Sequence, residues 1–100
     1  MARAAALDVA HRGIRVNAVC PGPTKSAMTA PTEGMPIAES MAARVPLGRF
    51  AEADEVGAAI AFLASPASSF ITGVALPVDG GVTSGTGQWA TYGGRRAGFA

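Results

Sequence analysis

Two short stretches of this chain can serve as β-strands, and they are held apart by helical sequence. Ile14-Arg15-Val16-Asn17-Ala18-Val19-Cys20 alternates, with Ile14, Val16, Ala18 and Cys20 on one face, the period-two pattern of a half-buried strand. Pro21-Gly22-Pro23 ends it, because proline lacks a ladder N–H and glycine admits turn dihedrals. Gly73-Val74-Ala75-Leu76-Pro77-Val78 reads as the second strand, closed by the tight turn Asp79-Gly80-Gly81. Strands separated by a helix pair in parallel through a crossover, which is right-handed in nearly all proteins. Two parallel strands alone are not self-sufficient, since parallel sheets are covered on both faces and extend over more strands. The pattern predicts a piece of an α/β protein, two parallel strands with flanking helices, missing its beginning.

The helices follow from local signals. Met1 to Arg12 is rich in alanine and arginine and meets a stop at Gly13. No N-cap residue precedes it, as though the helix began before Met1. Pro36 to Arg44 can form a short helix with proline in its first turn. After the turn Pro46-Leu47-Gly48-Arg49-Phe50, the carboxylates Glu52, Asp54 and Glu55 favour the positive end of a helix dipole. Val56, Ile60 and Leu63 then give that helix one apolar face. Gly57 in its interior costs roughly 1 kcal/mol relative to alanine, which suggests the close approach of another backbone. From Val82 the composition shifts to glycine, serine and threonine, so residues 1–81 read as the folded part and 82–100 as a glycine-rich, flexible tail.

Composition narrows the function. Twenty-two of the 100 residues are alanine and only 15% are charged, so the core is thin and the chain is no disordered polyelectrolyte. A net charge of +1 provides no field for nucleic acid or anionic lipid. Residues 56–78 carry no formal charge, but Ser65-Pro66-Ala67-Ser68-Ser69 interrupts them, and a spanning helix wants about 20 mostly apolar residues. No membrane segment or targeting signal is expected. The single Cys20 cannot close an intramolecular disulfide and fits a cytoplasmic protein.

Several ordered blocks together resemble one family. His11-Arg12-Gly13-Ile14-Arg15-Val16-Asn17-Ala18-Val19-Cys20-Pro21-Gly22 is similar to the sixth strand and its exit in short-chain dehydrogenases/reductases. Pro46-Leu47-Gly48-Arg49-Phe50, the acidic helix start and Phe62-Leu63-Ala64-Ser65 resemble that family's next helix. Ser68-Ser69-Phe70-Ile71-Thr72-Gly73 and Val78-Asp79-Gly80-Gly81 resemble its last strand. The resemblance implies the C-terminal part of a Rossmann-like doubly wound parallel sheet in an NAD- or NADP-dependent oxidoreductase, acting on a small alcohol or carbonyl substrate. It places the catalytic Tyr-x-x-x-Lys pair on the helix that Met1 to Arg12 finishes, before Met1. The catalytic serine and glycine-rich loop are likewise missing, so no catalytic residue is assigned and the chain alone is expected to be inactive.

What the resemblance leaves is one wall of the cofactor site. Pro21-Gly22-Pro23-Thr24-Lys25-Ser26 aligns with the family's Pro-Gly-x-x-x-Thr loop. Pro21 and Gly22 make the turn, the backbone near Thr24 is implied to meet the nicotinamide carboxamide, and the Ser26 hydroxyl to reach a cofactor phosphate. Ser26 keeps the hydroxyl of the family's threonine but loses the methyl that restricts its rotamers. Met28, Met35 and Met41 lie in or beside the segment that covers substrate in the family. The resemblance also implies a homo-oligomer through the helix at Ala53–Leu63 and the strand at Val74–Val78. A non-catalytic interaction or oligomerisation module is therefore the alternative function.

Other candidates read as structure. His11 belongs on the surface at a helix C-terminus, and Cys20 in the interior as a small hydrophobe. Arg15 and Asn17 share one strand face and should satisfy backbone or carboxylate partners. Asp79 fits a strand-end turn, with no second ligand cluster beside it to make a metal site. Tyr92 and Arg96 have the spacing of a Tyr-x-x-x-Lys pair, but arginine holds its proton throughout. Gly85-Thr86-Gly87-Gln88-Trp89-Ala90 matches a dinucleotide fingerprint only formally, lacking the preceding strand and following helix. Trp89, Tyr92, Arg95 and Arg96 are too few to make an RNA surface.

Overall fold

The computed structural model describes residues 1–84; the fingerprint-like Gly85–Ala90, Trp89, the Tyr92/Arg96 pair and most of the glycine-rich tail lie outside the described residues. Helix α1 spans Ala2–Val9 and tightens into a 3-10 turn at Ala10–Arg12. Gly13 stops it at φ 73°, donating its N–H to the Ala10 carbonyl at 2.9 Å, a left-handed cap that suits a residue without Cβ. Strand β1 (Ala18–Pro21) follows, then a 3-10 turn at Ala30–Thr32, helix α2 (Pro36–Ala43) and helix α3 (Ala53–Ala64). A further 3-10 turn at Pro66–Ser68 leads to strand β2 (Ala75–Val78). The two strands pair in parallel with Ala18 opposite Ala75 and Pro21 opposite Val78. The expected order of helix, strand, helices and strand is thus present.

The ladder starts later than the alternating pattern suggests. Ile14 to Asn17 precede β1 because neighbouring side chains take up much of their hydrogen bonding. The Thr72 hydroxyl accepts the Val16 N–H at 3.1 Å, and Asn17 both donates to the Ile71 carbonyl and accepts the Val74 N–H. Arg15 donates to the carbonyls of Ile71 and Ser65. Arg15 and Asn17 therefore find backbone partners, as expected, and fasten the approach to β1 onto the approach to β2. Gly73, read as the first residue of the second strand, has φ 78° and stays outside it. An added Cβ there would lie 3.5 Å from that of Ala6, where α1 packs.

Helix α3 begins as its carboxylates suggest. Glu55 reaches back to accept the Glu52 N–H at 2.9 Å while its own N–H donates to the Glu52 carbonyl at 3.0 Å, pairing groups left open in a helix's first turn. At the other end Ser68, buried at 1% exposure, donates to the carbonyls of Leu63 and Ser65. Among the described residues only Ala6, Val45 and Leu63 form the buried apolar core. Two expectations are corrected. Cys20 is exposed rather than interior, because no described residue covers its side chain at the end of β1. Gly57 faces open space, with nothing within 4 Å of an added Cβ.

Candidate functional site

In parallel α/β sheets, ligands bind beyond the carboxyl ends of the strands, where the exiting loops present main-chain groups. Here those ends are Pro21 and Val78, and their two exits pack on each other. Gly22 continues the ladder by donating to the Val78 carbonyl at 3.0 Å. A Cβ on Gly22 would come within 2.8 Å of the Asp79 Cβ and 2.9 Å of its Cα, so only glycine lets the loops touch. Asp79 holds its own turn: one oxygen accepts the Gly81 N–H, the other the N–H and hydroxyl of Thr83. These bonds, the Thr83 hydroxyl foremost, keep the Asp79 carboxyl below its ordinary value against the opposing effect of burial. Asp79 therefore makes the strand-end turn expected of it. Among the described residues no cluster of three metal-ligating side chains occurs.

Beyond Gly22 the loop runs against the start of α3. The Ala51 N–H donates to the Pro23 carbonyl at 2.9 Å and the Lys25 N–H donates to the Ala51 carbonyl at 2.9 Å. This single parallel bridge places Thr24 opposite Ala51. Successive peptide groups of an extended segment point to opposite sides. The N–H and C=O of Thr24 itself therefore face away from Ala51, and neither takes a partner among the described residues. The Thr24 hydroxyl folds back to donate to the Gly22 carbonyl at 2.9 Å, so it stiffens the turn. Sequence reading missed Ala51, because one isolated bridge leaves no periodic trace.

Ser26 closes the loop. Its hydroxyl oxygen accepts the Thr29 N–H at 3.3 Å, and its own N–H donates to the Thr29 hydroxyl at 2.8 Å. The Ser26 hydroxyl proton is thereby left for another acceptor. Pro21 and Ser26 are exposed, and Gly22 and Thr24 half-buried. A cleft of about 730 Å³ is lined by residues that include Pro23, Leu47, Arg49, Glu55, Asp79 and Thr83, but by none of Pro21, Gly22, Thr24 and Ser26.

The carboxylates at the α3 start were read from the sequence, but their cationic partners were missed. Arg49 grips Glu55 with two bonds of 2.7 and 2.9 Å, and Lys25 pairs with Glu52 at 2.8 Å. The Arg49 guanidinium, helped by the Glu52 N–H, holds the Glu55 carboxyl down at about 2. Glu52 in turn holds the Lys25 ammonium above its ordinary value.

Comparison with known proteins agrees with this architecture. Residues 1–83 match the family model described as enoyl-(acyl carrier protein) reductase. The chain is 48% identical over 90 residues to meso-2,3-butanediol dehydrogenase of Serratia marcescens, covering 88% of this chain and 35% of that protein. It is 50% identical over 86 residues to cis-4-hydroxycyclohexanecarboxylate dehydrogenase of Sinomonas cyclohexanicum, covering 84% and 33% respectively. The fold matches the crystal structure of a short chain dehydrogenase family protein from Francisella tularensis with TM-score 0.76 at 32% identity, over 85% of this chain and 39% of that one. The chain spans about a third of the length of these curated relatives. With its parallel pair, its Pro-Gly exit loop and these matches, the chain belongs to the short-chain dehydrogenase/reductase family.

Proposed function

We propose that this chain supplies the strand-end wall of a nicotinamide cofactor site, NAD or NADP, in a short-chain oxidoreductase acting on a small alcohol or carbonyl compound. The observation that carries the reading is the pair of unpartnered main-chain groups on Thr24. A carboxamide offers one acceptor and two donors, which complement an N–H and a C=O on one side of one residue. Thr24 binds and orients that amide through backbone groups that its side chain does not alter. Ser26 donates its free hydroxyl proton to a phosphate oxygen, and the Pro21-Gly22 turn, locked on Asp79, sets the loop's height above the sheet. The cofactor, when bound, supplies the hydride chemistry. Residues 1–84 contain no tyrosine, and the one tyrosine of the chain, Tyr92, is followed four positions on by Arg96 where the family's pair has lysine, so the 100-residue chain by itself is expected to turn over no substrate.

Nuclear magnetic resonance titration of the chain with NAD and NADP in both redox states tests this, alongside an assay with secondary alcohols. The expected result is a shift of the Thr24 amide with no turnover. An unmoved Thr24 amide at millimolar cofactor defeats the binding role, and cofactor reduction by the pure chain defeats the inactivity.

A second reading concerns association. Ile60 and Phe62 on α3 and Phe70 after it are exposed although strongly apolar, and large apolar surface commonly marks a contact site. These residues support a homo-oligomer assembled through α3 and β2, whether or not the chain takes part in catalysis. Sedimentation that finds only monomer across a wide concentration range excludes it. The low charge, the lone cysteine and the lack, among the described residues, of any helix long and apolar enough to cross a membrane agree with a cytoplasmic setting.

A further inference from the structure

Three bonds tie the cofactor-facing loop to the start of α3. Two are the backbone bonds that flank Thr24, from Ala51 to Pro23 and from Lys25 to Ala51. The third runs between side chains, from Lys25 Nζ to Glu52 Oε1 at 2.8 Å. Lys25 and Glu52 are each about half exposed, and such pairs contribute little to global stability. Their leverage here is local. The exposed loop holds few apolar contacts, and a segment of that kind opens at a free energy set by its own few bonds. Glu52 is a firm anchor, since its N–H is held by Glu55 and Glu55 is gripped by both arms of Arg49. Glu33 adds attraction for Lys25 and Arg49 opposes it, but the Glu52 contact outweighs both.

We propose that Lys25 and Glu52 act as a clamp that keeps the Thr24 bridge closed and so positions the Thr24 N–H and C=O for the cofactor. The clamp rests on the reading of Thr24 as the carboxamide contact. Lys25 and Glu52 are positioning residues; neither need touch the cofactor. Lys25→Met removes the charge while keeping an apolar stem on an exposed residue, and Lys25→Arg keeps the charge. Glu52→Gln keeps an oxygen at the helix start while removing its charge.

The test is amide hydrogen exchange on the cofactor-free chain, followed by cofactor titration of the same samples. Lys25→Met and Glu52→Gln should each speed exchange at the Lys25 and Ala51 amides about threefold, the scale of an exposed ion pair. The double variant should add nothing further, Lys25→Arg should restore protection, and the Ala18 amide, bonded to Val74 within the ladder, should not change. Raising salt from about 0.02 M to about 0.5 M should reproduce the effect in the unaltered chain and in Lys25→Arg, and change nothing in the charge-removing variants. Cofactor affinity should fall by a similar factor in the charge-removing variants and recover with arginine. Unchanged exchange in Lys25→Met overturns the clamp whatever the cofactor does. Faster exchange with unchanged affinity overturns the positioning role. Faster exchange in a chain whose Thr24 amide never responds to cofactor instead removes the cofactor reading, and the positioning role with it.

Discussion

The seam between the two strand exits and the outer surfaces of α2 and α3 are built on opposite principles. At the seam, glycines bring backbone against backbone or side chain: Gly22 on Asp79, Gly80 on Val45, Gly81 on Pro46. The Leu47 N–H donates to the Gly80 carbonyl at 3.1 Å, joining the turn after β2 to the segment after α2. On the outer surfaces Ile37, Met41, Ile60 and Phe62 stand exposed, and Gly57 meets open space. The seam is closed by contacts among the described residues, whereas the outer surfaces carry apolar groups that no described residue covers. The chain should therefore hold its strand-end geometry more firmly than its helical faces.

Substitutions at glycine test that contrast most directly. Gly80 has φ 63°, and a Cβ there would lie 2.6 Å from Cγ1 of Val45, itself 2% exposed and unable to yield. Gly80→Ala should cost about 2–4 kcal/mol, combining left-handed strain with overpacking. Urea unfolding checks it; a midpoint equal to that of the unaltered chain would mean the seam is loose. Ser68→Ala removes the hydroxyl that meets the Leu63 and Ser65 carbonyls and should cost about 1–2 kcal/mol by the same measurement.

Gly57→Ala should act in the opposite direction. With no neighbour to strike and helical dihedrals already in place, alanine should stabilise the chain by about 0.5–1 kcal/mol. Destabilisation would instead reveal a partner seated on α3, and repeating the measurement at several protein concentrations would show whether that partner is a second copy.

The smallest effect is expected in acid. The Glu55 carboxyl lies at about 2 instead of its ordinary 4.5, so its contribution to α3 is fully present above about 4.5 and is lost as pH falls through about 2. Asp79 is lowered in the same direction and weakens the β2 turn in acid likewise. Carbon-detected titration of the Glu55 carboxyl should give a midpoint near 2, and Arg49→Met should move it back towards the ordinary value. A midpoint that ignores the substitution would show that Arg49 does not hold Glu55 in solution.

Much of this molecule was legible because the signals are local. Gly13 caps α1, Pro36 sits in the first turn of α2, the carboxylates after Phe50 open α3 and Pro21-Gly22 leaves β1. Each depends on dihedral preference or on groups within one turn, which the order of residues fixes directly. The blocks that resemble a family were legible for the same reason: they are contiguous. Of the candidate site, the loop from Pro21 to Ser26 could be singled out, but not the distant groups that hold it.

Tertiary structure decided the remainder. Alternation from Ile14 cannot reveal that Thr72 and Asn17 side chains stand in for ladder bonds until Ala18. Nor does it say that Cys20 stands exposed at the end of β1. Ala51, distant in sequence, turns the Thr24 peptide groups outward, and Glu52 and Asp79 hold the loop from two sides. Local order along the chain sets conformational preference. Whether a polar group is paired or left for a ligand depends on which distant segments arrive beside it, and that is settled only when the chain closes on itself.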